Sequence, residues 1–245
     1  METKLFDRSN ILQNWQDIIR EARIGPQGHA RYAPFKPTFE YALGNLKRVG
    51  GSGDGGKWLI GTDAERQAGQ RYVVLSIGSH MDFKFEESIK AEVPAAVIYT
   101  FDCTVTEAQA RSKAVPKYVT FHRVCIDEVS SADKSRLTYD DILTLIGESK
   151  VDLLKIDAEG AEFKLMSSIV ESTRHEGRSP PRQISFEMHF YTNFPGMWEG
   201  SGPGVVPSAT AKANGEWRPR SGMAQSQHAM ASMLLELDSI GFRIL

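Results

Sequence analysis

Five short apolar runs, separated by helix-patterned stretches, constrain this chain more than any other feature of its sequence. Val73, Val74, Leu75 and Ile77 lead to Gly78, and a second run over 95–101 is stopped by Asp102. A third covers 118–121, a fourth (Leu153, Leu154, Ile156) is stopped by Asp157, and a fifth spans 184–190. Runs this short and this apolar predict strands covered on both faces. Between and after them, Thr138 is placed to cap a helix with Asp141 three residues on, followed by Ile142, Leu143, Leu145 and Ile146. Residues 160–171 put Phe163, Met166, Ile169 and Val170 on one helical face, and 225–239 do the same with Met230, Met233, Leu234 and Leu237 before Gly241. Alternating strands and helices imply right-handed crossovers. The expected fold is α/β: a mostly parallel twisted sheet with helices on both faces.

Residues 1–70 read as an N-terminal helical arm packed on this core. Ser9 can cap a helix over 10–22, with Ile11, Leu12, Trp15, Ile18, Ile19 and Ala22 on one stripe. Residues 25–37 break the pattern, 38–46 resume it, and 48–56 form a glycine-rich turn. The main domain is expected over 71–245, with a long Gly/Pro-rich insertion at 191–223 that carries Trp198 and Trp217. The chain stops at Leu245, where a sixth strand is expected.

A length of 245 residues, 41 % of them hydrophobic and 24 % charged, suits one large globular domain. The net charge of −2, with basic residues scattered, gives no footprint for nucleic acid. Cys103 and Cys125 show neither paired nor metal-like spacing, so a disulfide framework and a thiolate zinc site are not expected. There is no apolar leader at Met1–Arg8 and no run long enough for a membrane span, so a reducing, cytoplasmic setting is the default expectation.

In an open α/β sheet, ligands bind beyond the carboxyl ends of the strands, where strand order reverses. The first strand ends on Ser76-Ile77-Gly78-Ser79-His80-Met81-Asp82-Phe83, the second on Asp102, the fourth on Asp157-Ala158-Glu159-Gly160, and the fifth carries Glu187 and His189. Gly78 omits a side chain where a ligand must approach the backbone, and Asp102 is placed to accept ribose hydroxyls. A glycine turn with Asp102 as a helix cap explains the same residues without a ligand. A dinucleotide fits poorly: G-x-G-x-x-G is absent, and Asp82 would repel a pyrophosphate. A cationic sulfonium tolerates these acids. Lys155 and Glu187 interrupt apolar runs; if their strands are neighbours they can pair, structurally or in catalysis.

At these positions the sequence resembles the FkbM-type O-methyltransferases and related methyltransferase-like proteins. The resemblance runs through Gly55-Gly56-Lys57-Trp58-Leu59, Val74–Ser79 with Asp82-Phe83 and Phe85-Glu86, and Thr100–Thr104. It continues through Thr138–Ile142, Asp152-Leu153-Leu154-Lys155-Ile156-Asp157-Ala158-Glu159-Gly160-Ala161-Glu162 and Phe186–His189. It implies a Rossmann-like class I methyltransferase fold using S-adenosylmethionine, with the donor over the first two strands. Gly78 and Ser79 would approach the methionine part and Asp102 the ribose, while His122, Arg123 and Val124 would flank the adenine. Asp157 would lie near the sulfonium. Ser76, His80, Asp82, Phe83, Cys103, Ala158 and Glu159 complete the expected donor contacts. The family usually has Asn-Gly or Gly-Gly where this chain has His80-Met81.

The expected reaction is an in-line methyl transfer to a hydroxyl of a sugar or other small molecule. Asp157 and His189 are the candidate bases, Glu187 orients one of them, and Lys155 completes the catalytic set. Metal assistance lacks a compact ligand spacing. The competing expectations are a non-catalytic methyltransferase-like module and, less supported for want of glycines, a nicotinamide oxidoreductase.

Overall fold

The computed structural model describes residues 46–51, 55–60, 69–158, 161–187 and 226–242. They fall in two units, one over 43–188 and one formed by 1–42 with 189–245. The helices expected near the N-terminus lie outside the described residues, except for Leu46, which opens a strand instead; so do the insertion at 191–223 and residues 243–245, where the sixth strand was expected.

The first unit is built on a five-stranded sheet. Its strands are β3 (Tyr72–Ile77), β4 (Ala96–Phe101), β5 (Val119–His122), β8 (Leu153–Ile156) and β9 (Gln183–Phe186), in the spatial order β5-β4-β3-β8-β9. Every pairing is parallel. All five expected strands are present. β3 is buried along its whole length and so is β8, as strands covered on both faces must be. The chain steps from β3 outward to β4 and β5, then returns to the other side of β3 with β8 and β9. With right-handed crossovers, that reversal sends α1 (Lys84–Glu92) and α4 (Glu162–His175) to opposite faces.

Local chemistry starts and stops the helices. α2 (Glu107–Ser112) opens on a capping box between Thr106 and Gln109. Thr138 caps α3 (Tyr139–Ile146) by accepting from Asp141 N, as its sequence predicted, and Gly147 closes it in the left-handed region at φ 71°. α3 and α4 are tied by the buried Ser168 hydroxyl, which accepts from Tyr139 N at 2.8 Å. The core gathers Val74, Ile89, Ile98 and Leu153 with Phe83 and Phe85.

Two expectations are corrected here. Residues 48–56 are not simply a turn: Arg48 and Val49 belong to β1 (Leu46–Val49), which pairs antiparallel with β2 (Lys57–Ile60). The glycines serve the bend between them. A Cβ on Gly56 would sit 2.3 Å from Gly51 O, so no other residue fits there. Cys103 and Cys125 are also not independent thiols; they form a disulfide with Cα atoms 4.8 Å apart. The reason is topological. β4 and β5 pair in register, with Phe101 opposite His122, so residues just past the two strand ends emerge side by side. That bond removes the cysteine argument for a reducing compartment. A further two-stranded parallel pair, β6 (Cys125–Ile126) with β7 (Arg136–Leu137), follows the bridge.

The described part of the second unit is one helix, α5 (Ser226–Ser239), on the span expected from its sequence. Gly241, at φ 104°, ends it, and Met233, Leu234 and Leu237 are buried. Among the described residues no helix is long and apolar enough to cross a membrane.

Candidate functional site

The carboxyl ends of the strands are stitched together by backbone bonds that continue past the strands themselves. Asp102 N donates to His122 O (3.0 Å), Gly78 N to Phe101 O (2.9 Å), Asp157 N to Ile77 O (2.9 Å) and Glu187 N to Ile156 O (2.9 Å). Gly78, Asp102, Asp157 and Glu187 therefore form one row along a rigid edge, across the point where strand order reverses. Gly78 sits at φ 77°, and a Cβ there would lie 1.7 Å from Asp157 O. Glycine is required by backbone packing alone, before any ligand is considered.

Asp102 is buried and accepts four hydrogen bonds. Oδ2 takes Ser79 N (2.9 Å) and His80 N (2.6 Å); Oδ1 takes Thr104 N (2.9 Å) and Thr104 Oγ1 (2.6 Å). Burial opposes its charge, but the bonds from Thr104, Ser79 and His80 outweigh that and hold its carboxyl below the usual carboxylate range. Its four lone-pair directions are thus all used, two to shape the Ser79-His80 turn and two to hold Thr104. In that turn His80 and Met81 both take positive φ, 47° and 59°, where Asn or Gly is more at ease. His122 stacks on Phe101 with centroids 4.7 Å apart, and its buried Nε2 has no hydrogen-bond partner. Burial pushes its pKa below the ordinary value, toward the neutral imidazole.

The expected Lys155–Glu187 pair does not form. In register, Lys155 faces Ser185 on one side and Ser76 on the other, and it leans toward β3. Its buried ammonium donates to Gly78 O and to Ile77 O (3.3 Å), and lies 3.8 Å from Asp157 Oδ2. Burial pulls its pKa down, against the pull of Asp157 and of the buried Glu86.

Glu187 is paired instead with Lys57. The Nζ of Lys57 donates to Glu187 Oε2 at 2.9 Å and to Asp157 Oδ2 at 3.0 Å, with the side chain only 5 % exposed. Burial disfavours the charge, yet the hydrogen bonds and charges of Glu187 and Asp157 prevail and raise its pKa above the lysine norm. Lys57 was not among the candidate residues from sequence. Its one sequence signal is its place in the Gly55-Gly56-Lys57-Trp58-Leu59 segment of the family resemblance, and no spacing links it to positions 100 and 130 residues away.

The other predicted donor contacts divide. Ala158 stands on the edge, its N–H donating to the buried Glu162 carboxyl (3.1 Å), and Cys103 is there through its disulfide. Ser76 is buried within β3, and Phe83 packs edge-on against Phe121 in the core. Asp82 is exposed and paired with Lys84. Arg123 turns away to Val105 O (3.0 Å), and Val124 is half-buried beside it in the chain. Glu159 and His189 lie outside the described residues.

A parallel sheet of this order, with a glycine turn and two aspartates at the reversal, defines a Rossmann-like α/β protein. A family model described as a methyltransferase domain matches residues 22–202, well over half of the chain. The protein therefore belongs to that methyltransferase-domain family. Neither the curated proteins nor the solved structures contain a match to it.

Proposed function

We propose that this protein methylates a hydroxyl of a sugar or other small molecule, using S-adenosylmethionine. The observation that supports it best is the row of Gly78, Asp102 and Asp157 on three neighbouring strand ends at the order reversal, in a member of a methyltransferase-domain family. The FkbM-type resemblance in the sequence points to oxygen as the accepting atom.

The residues fit the donor, with one adjustment. The orphaned His122 Nε2 offers a hydrogen-bonding atom on the side expected for adenine. Asp102 has no lone pair to spare, so a ribose hydroxyl has to take the place of the Thr104 hydroxyl on Oδ1, a rotation about one side-chain bond. When bound, the donor supplies a methyl carbon on a cationic sulfur that leaves as a neutral thioether. The protein's task is then mainly alignment. The Gly78–His80 turn and Asp102 hold the donor side. Asp157 takes the hydroxyl proton as the acceptor oxygen bonds to carbon, with Glu187 orienting Asp157 through the shared Lys57 and His189 as the alternative base. Lys155 braces the Gly78 carbonyl from below.

Calorimetric titration with S-adenosylmethionine and S-adenosylhomocysteine tests this reading. Micromolar binding, abolished in Asp102→Ala, is the expected result. No binding to either ligand would make a non-catalytic module the leading reading. The observations favouring that second reading are the saturated Asp102 and the strained His80-Met81 turn.

A further inference from the structure

We propose that Lys57 sets the charge balance beneath the reacting centre and, through it, the relative grip on cationic donor and neutral product. This rests on the donor reading above. Ile156 pairs with Phe186, so the next residues, Asp157 and Glu187, leave adjacent strands at one edge. Two carboxylates there make a strongly anionic spot, the kind of site that binds a sulfonium tightly in the ground state. Such binding does not accelerate transfer: an interaction that weakens as the positive charge disappears holds the reactant more firmly than the transition state. Lys57 cancels one of the two charges while leaving both carboxylates in place. Lys155 adds a second positive charge 3.8 Å from Asp157 Oδ2, but its hydrogen bonds go to the Ile77 and Gly78 carbonyls; Lys57 is the cation hydrogen-bonded to both carboxylates.

The surrounding structure is built to deliver this one side chain. Gly56 permits the bend immediately before it. The next residue, Trp58, points the other way and is 56 % exposed. The strand is pinned to β9 by the Gln183 side chain, which accepts from Ile60 N (2.9 Å) and donates to Ile60 O (2.8 Å), and by Ser185 Oγ donating to Trp58 O (3.0 Å). Lys57 thus acts through Asp157 and Glu187, as a positioning residue.

The test is the ratio of affinities for S-adenosylmethionine and S-adenosylhomocysteine, measured by calorimetry on the full chain. Lys57→Met should favour the cationic ligand by about three- to tenfold, the scale of one unmasked charge in a half-solvated site. Glu187→Gln should move the ratio the opposite way, and Lys57→Arg should restore the wild-type value. A purely structural bridge would change both affinities together. A ratio unmoved in Lys57→Met and Glu187→Gln, with both ligands still binding, overturns the inference alone. Failure of the wild-type chain to bind either ligand overturns the donor reading and this inference with it. Should Lys57→Met not fold, the sign of the Glu187→Gln shift and the recovery in Lys57→Arg carry the decision.

Discussion

On the proposed donor reading, Asp102 has two jobs that compete for the same oxygen atoms, and Thr104 is where the competition can be measured. Its Oδ2 is committed to the backbone of Ser79 and His80, so loss of that oxygen undoes the turn. Its Oδ1 holds one backbone donor and one side-chain hydroxyl, both from Thr104. Only the hydroxyl can leave without moving the chain. Thr104→Val keeps the shape of the side chain and vacates one lone pair. If Asp102 receives a ribose hydroxyl there, the variant should bind S-adenosylhomocysteine several-fold more tightly than wild type, because the ligand no longer displaces an internal bond worth about 1–2 kcal/mol. Unchanged or weaker binding would mean that Asp102 only shapes the turn. The sequence shows an acid at a strand end, which suits either role. Its occupancy depends on Thr104, two residues on and polar for no evident sequence reason.

The β1–β2 hairpin is the element that sequence patterning did not reveal. Its strands are four residues each and are separated by glycines, too short for a hydrophobic period to register. The five sheet strands and the helices capped by Thr138 or ended by Gly241 were legible because burial and capping write themselves locally. The hairpin is held by contacts more than 120 residues distant in sequence, through Gln183 and Ser185. Gln183 closes both polar groups of Ile60, so Gln183→Ala leaves a backbone N–H and C=O to find water. The expected cost is about 1–2 kcal/mol, local to this element. Amide exchange at Ile60 should then quicken by roughly tenfold while exchange in β3 and β8 stays as in wild type. Equal acceleration in all three strands would show that the hairpin is part of the cooperative core. The same exchange measurement reports on Lys57, whose position depends on this docking.

At the scale of the whole 43–188 unit, the disulfide braces the β4–β5 edge of the sheet. Among the described residues β5 is an edge strand bonded only to β4, and it leads straight into Cys125. Two cysteines 22 residues apart carry no sequence signature of pairing; the β4–α2–β5 crossover makes them neighbours. The bridge closes the loop that contains α2 and β5, so it restricts the unfolded chain as well as bracing the edge. For a loop of that size the chain-entropy estimate is about 3 kcal/mol. Denaturant unfolding with and without dithiothreitol should therefore differ by about that amount, with Cys103→Ser/Cys125→Ser matching the reduced protein. The bridge starts one residue after Asp102 and ends three residues after His122, beside the groups assigned to ribose and adenine. The reduced protein should accordingly lose affinity for S-adenosylhomocysteine along with stability, since the donor then has to order an edge that the bond had already fixed. Equal affinity in both redox states would confine the bridge to a stabilising role. Equal stability would show that β4–β5 pairing holds that edge without it.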